Sequence, residues 1–142
     1  MTAAGWALAT ALFAFPLSCA KDSGPVIELG AGFGEFSVRT LGDAVSLNTS
    51  VAIEQKTNGK WARVNVTNLY LRESCDASQP PQCRRLEANS KVTAVRWRGN
   101  FCWSQCPAHC RLDGPAPPGT YRFVVTSCNG KQMIASPEFE KK

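Results

Sequence analysis

Residues 45–71 read VSLNTSVAIEQKTNGKWARVNVTNLYL, and the alternation within them decides the fold. Val45, Leu47, Val51 and Ile53 are interleaved with Ser46, Asn48, Ser50, Ala52 and Glu54. A period of two puts one set against a core and the other toward water, as in a half-buried strand. Asn58-Gly59 follows, the preferred pair for a two-residue hairpin turn because both residues take positive φ cheaply. With Thr57 opposite Lys60, the chain is expected to place Ile53 opposite Val64, Val51 opposite Val66 and Leu47 opposite Tyr70 on one face. On the other face Glu54 opposes Arg63, and Lys56 lays its stem along Trp61. Pattern, turn and cross-strand pairs agree on this register.

Working outward, Val26-Ile27-Glu28-Leu29 reads as a first short strand, and Lys91 to Trp97 (KVTAVRW) as another. Tyr121 to Thr126 (YRFVVT) follows the turn-forming Pro117-Pro118-Gly119. Asn129-Gly130 repeats the hairpin signal, Lys131 to Ala135 returns, and Phe139 completes an edge strand. Gly30, Gly32 and Gly34 lack the strand-turn-helix context of a dinucleotide-binding loop and read as a flexible bend. No stretch sustains a helical period. Short strands separated by regular turn signals specify an all-β protein. The expected architecture is an immunoglobulin-like antiparallel β-sandwich, stabilised by disulfides.

The segment Pro117 to Val125, PPGTYRFVV, resembles the penultimate strand of small bacterial immunoglobulin-like domains, in which PGTY leads into a central strand. Residues 45–139 as a whole resemble the exported domains of small bacterial lipoproteins. The resemblance implies a fold and a location; it carries no activity.

Seven cysteines divide as one plus six. Cys19 ends an apolar stretch that runs from Ala3 to Leu17, without charge before Lys21. The stretch is short for a spanning helix and fits the apolar core of a signal peptide. Pro16-Leu17-Ser18-Cys19 resembles the lipobox of bacterial lipoproteins, with Pro16 in place of the usual aliphatic residue. The resemblance implies lipidation at Cys19; ordinary cleavage after Ala20 would instead give a soluble secreted or periplasmic protein. The expected division is a signal peptide over 1–19, a Gly-containing tether with a first strand over 20–34, and a sandwich domain over 35–142.

The other six cysteines, Cys75, Cys83, Cys102, Cys106, Cys110 and Cys128, allow fifteen pairings. Proximity favours Cys75 with Cys83, with Cys128 stapling the 102–110 loop to the sheet and the remaining two closing that loop. Cys102, Cys106, His109 and Cys110 are residue types that zinc accepts, but export favours oxidised thiols, so neither a metal nor a cofactor is expected.

The formal charge of +5 comes from scattered residues with no basic run longer than two, which argues against nucleic acid. No nucleophile, base and acid can be grouped, so no catalytic residues are assigned. Asp43 with Glu54, and Glu138 with Glu140, read as surface charge. Trp61, Trp97, Phe101 and Trp103 offer an aromatic ligand surface, with the competing reading that Trp97 fills the core and Trp103 packs on a disulfide. The function expected is that of a non-enzymatic binding or accessory domain of the bacterial envelope. It is expected to be monomeric, membrane-held by an N-terminal lipid, with an envelope protein or glycan as partner. The alternatives are a protease inhibitor acting through residues 99–118 and a metal-binding protein using residues 102–110.

Overall fold

A computed structural model of the chain describes residues 24–68, 83–94, 96–101 and 114–142. Nine strands and no helix lie among them. β1 (Gly24–Leu29), β2 (Phe36–Leu41) and β6 (Lys91–Thr93) form one antiparallel sheet in the order β1-β2-β6. The second sheet is built on β3 (Val45–Thr57) and β7 (Gly119–Ser127), which pair antiparallel at its centre. β5 (Cys83–Leu86) and β4 (Lys60–Asn68) pair with successive halves of β3. β8 (Met133–Ala135) and β9 (Phe139–Lys141) do the same for β7. Each long central strand is thus flanked by two shorter strands in tandem.

The inner faces of the two sheets share one core. Ile27, Phe36 and Val38 come from the first sheet; Leu47, Val51, Ile53, Tyr121, Phe123 and Val125 come from the second. The rings of Phe36 and Phe123 stack across the gap with centroids 4.0 Å apart. Phe36, Val38 and Thr40 form the buried row of β2 at period two, with Arg39 exposed and Ser37 buried as well. Thr40 is the polar member of that row. Its hydroxyl donates to the Glu87 carbonyl at 2.6 Å and accepts from the Ser90 amide at 2.8 Å, so its burial leaves no group unpaired.

The Asn58-Gly59 hairpin is present, with φ of 50° and 75°, and the expected register holds from Thr57–Lys60 to Glu54–Arg63. It then shifts. Ile53 faces Asn65 instead of Val64, and Val51 faces Thr67 instead of Val66. Val64 is the extra residue of a β-bulge, which adds local twist to the hairpin; an alternation argument has no term for an inserted residue. Tyr70, expected opposite Leu47, lies outside the described residues.

Asn129-Gly130 makes a different turn from Asn58-Gly59. Only Gly130 has positive φ, 69°. The Gly130 amide donates to the Ser127 carbonyl, and the connection closes where Ser127 N–H meets the Gln132 carbonyl, both at 2.9 Å. Asn129 Oδ1 accepts from Ser127 Oγ and the Lys131 amide. The return strand therefore starts at Met133, not Lys131.

The first short strand expected at Val26–Leu29 is present as β1. It pairs β2 along six residues from Gly24–Leu41 to Leu29–Phe36. The Gly30–Gly34 bend is pinned by the Gly30 amide on the Glu35 carbonyl at 2.7 Å and by the Trp97 amide on the Gly34 carbonyl at 3.0 Å. Gly34 has φ +74°, and a Cβ there would collide with the Trp97 carbonyl oxygen. Only glycine meets both conditions.

Candidate functional site

Among the described residues a disulfide joins Cys83 to Cys128, with Cα atoms 5.4 Å apart at a sequence separation of 45. This corrects both the pairing of Cys83 with Cys75 and the expectation that Cys128 staples the 102–110 loop to the sheet. β5 brings Cys83 opposite Asn48 on β3, while the Cys128 amide donates to the Ser46 carbonyl on the same strand. Sheet topology, rather than closeness in sequence, makes them neighbours. Both cysteines are exposed. Cys19, Cys75, Cys102, Cys106 and Cys110, with His109, lie outside the described residues, and no group of three or more metal-ligating side chains occurs among those described.

Three of the four aromatic residues read as a ligand surface, Trp61, Trp97 and Phe101, are described. Trp97 is a core residue, 4% exposed. Its ring packs 5.0 Å from that of Tyr121 and 5.6 Å from that of Phe33, and its indole N–H donates to the Asn100 carbonyl at 3.1 Å. Phe101 is partly buried against the same core. Trp103 lies outside the described residues. Trp61, half-buried, lies on the outward strand face opposite Lys56.

Two features stand out as sites. The first is a clasp at the base of residues 99–116. The Ala116 amide donates to the Gly99 carbonyl at 2.8 Å, and the Phe101 amide to the Gly114 carbonyl at 3.2 Å. Asn100 and Pro115 form the bridge between them. Trp97 and Ala116, both buried, hold the clasp to the core. Residues 99–101 and 114–116 are therefore held side by side.

The second is the outward face around Trp61. Arg122 on β7 faces Glu54 on β3, and its Nε and Nη2 both reach the same Glu54 oxygen, at 2.9 and 2.8 Å. The two side chains are only 19% and 13% exposed. The Arg122 guanidinium carbon lies 4.2 Å from the Trp61 ring centre, and Lys56 Nζ lies 5.5 Å from it. Lys56 also bonds Glu138 at 3.0 Å. Three of the four acids read as surface charge have partners: Glu54 in Arg122, Glu138 in Lys56, and Glu140 in the Thr120 hydroxyl at 2.6 Å. On the other sheet Glu28 spans three strands, accepting from Lys91 at 2.8 Å and Arg39 at 3.2 Å. The Lys91 ammonium, then the Arg39 guanidinium, holds its carboxyl below the usual range.

Sequence reasoning found Trp61, Lys56 and Glu54 from the hairpin register but missed Arg122, which sits on a strand distant in the chain. The signal was present in outline, since Arg122 is flanked by the core residues Tyr121 and Phe123 and must point outward. No protein-family model, no curated protein and no solved structure matches the chain.

Proposed function

We propose that the protein is an exported, non-enzymatic binding domain of the bacterial cell envelope, anchored by a lipid on Cys19 and stabilised by disulfides. The observation that carries this reading is the clasp. Two backbone hydrogen bonds and a core tryptophan fix residues 99–101 and 114–116 before a partner is met, which lowers the entropic cost of binding there. The oxidised Cys83–Cys128 pair supports an oxidising compartment. An immunoglobulin-like arrangement is part of the proposal. It is supported by the Tyr121 hydroxyl, which donates to the Pro117 carbonyl at 2.7 Å, the backward bond of a tyrosine corner.

Fractionation of cells expressing the wild type and Cys19→Ser tests the location. Wild-type protein is expected with the membranes and the variant in the soluble exported fraction; a cytoplasmic wild type contradicts the reading.

The clasp also favours a second reading, a protease inhibitor acting through residues 99–118. A substrate-like loop held at both ends resists the separation of its halves after cleavage. Inhibition of one member of a protease panel at micromolar protein supports it, and inhibition of none removes it.

A further inference from the structure

We propose that Trp61 is a stacking platform for a sugar ring of an acidic polysaccharide, at a site separate from the clasp. An indole at an outward strand position offers a broad apolar face amid polar neighbours. Here the ring is held in place. Arg122 packs against it and is itself fixed by two contacts to Glu54, within a pair that is largely shielded from water. An aromatic ring ordered in advance loses little entropy when a ligand stacks on it. The C–H-bearing face of a pyranose matches that surface.

Charge around the ring selects the class of sugar. Lys56 and Arg122 lie against the ring, and Arg63 stands two residues along the same strand; Glu54 and Glu138 oppose them in charge. Both acids are committed, to Arg122 and Lys56. Arg63, opposite Glu54 on the hairpin, is exposed and has no ion pair among the described residues. An uncommitted guanidinium beside a fixed aromatic ring suits a sugar carboxylate, which it bonds with two parallel N–H groups. A uronate residue supplies both the ring face and the carboxylate.

The test is isothermal titration of the disulfide-intact protein with polygalacturonate as the uronate polymer and dextran as the neutral one. Polygalacturonate is expected to bind and dextran not to. Trp61→Ala is expected to lower the affinity at least tenfold, Trp61→Phe less, and Arg63→Gln several-fold with a shallower salt dependence. Thermal midpoints accompany each variant, and Trp61→Phe keeps the test valid if Trp61→Ala unfolds. The proposal is overturned by no binding of polygalacturonate, by equal binding of dextran, or by binding that a folded Trp61 variant leaves unchanged. Equal affinity for poly-glutamate also overturns it, since that would reduce the face to a cation patch. None of these results touches the clasp.

Discussion

The Arg122 guanidinium carbon sits 4.2 Å from the centre of the Trp61 ring while its nitrogens hold Glu54. An outward cross-strand pair ordinarily contributes a few tenths to about 1 kcal/mol, and Glu54 read from sequence falls in that class. Its burial and its partner move it out. Glu54→Ala leaves Arg122 shielded from water without its carboxylate, and is expected to cost about 1–3 kcal/mol by denaturant unfolding. Trp61→Ala and Arg122→Ala, combined in a double-mutant cycle, are expected to couple by about 1 kcal/mol. Additivity would mean that the stack contributes nothing.

Gly34→Ala is expected to be among the most damaging single-methyl changes in the chain. It meets both a left-handed backbone and the Trp97 carbonyl oxygen. The Trp97 amide bond to the Gly34 carbonyl ties any shift of the bend to the core tryptophan. A loss above about 2 kcal/mol is expected, whereas Gly24→Ala, with open space around it, should change the unfolding midpoint little.

Tyr121→Phe separates a hydrogen bond from packing. The ring is fully buried, and the variant loses only the bond to Pro117, at about 1 kcal/mol. Burial pushes the Tyr121 phenol above its ordinary value of 10.0. The folded protein therefore resists the ionisation that the unfolded chain undergoes. This contribution is complete below pH 10 and is lost as pH rises toward the folded value. Unfolding followed from pH 8 to 11 should show a shallower alkaline decline in Tyr121→Phe than in the wild type.

Cys83→Ser with Cys128→Ser opens a loop of 45 residues. The chain-entropy model puts the loss at about 4 kcal/mol. The double variant is expected to have a lower midpoint than the wild type under oxidising conditions. The reductant sensitivity that remains in the variant reports only on the other cysteines.

What the sequence made legible was local. The Asn58-Gly59 turn and the alternation of Leu47, Val51 and Ile53 are encoded within a few residues, and the strand and turn appear as read. The Val64 bulge is not encoded that way, because an extra residue leaves the hydrophobic count unchanged. β2 and β5 were missed for different reasons. Phe36, Val38 and Thr40 alternate over too few residues to stand out, and Cys83–Leu86 is too polar, its pairing with β3 supplying the order. The Cys83–Cys128 contact and the Arg122–Trp61 stack depend on which strands lie side by side. Trp97 illustrates the same limit: the side chain suits either a ligand face or a core, and packing against Tyr121 and Phe33 decides for the core.

The most direct test of an exported, disulfide-held domain is mass analysis of the mature protein from its native membranes, intact and as peptides, without reduction. The account predicts a lipid-modified chain beginning at Cys19 and a peptide pair linked through Cys83 and Cys128. An unlipidated chain, or Cys83 recovered as a free thiol or bridged to Cys75, would contradict it.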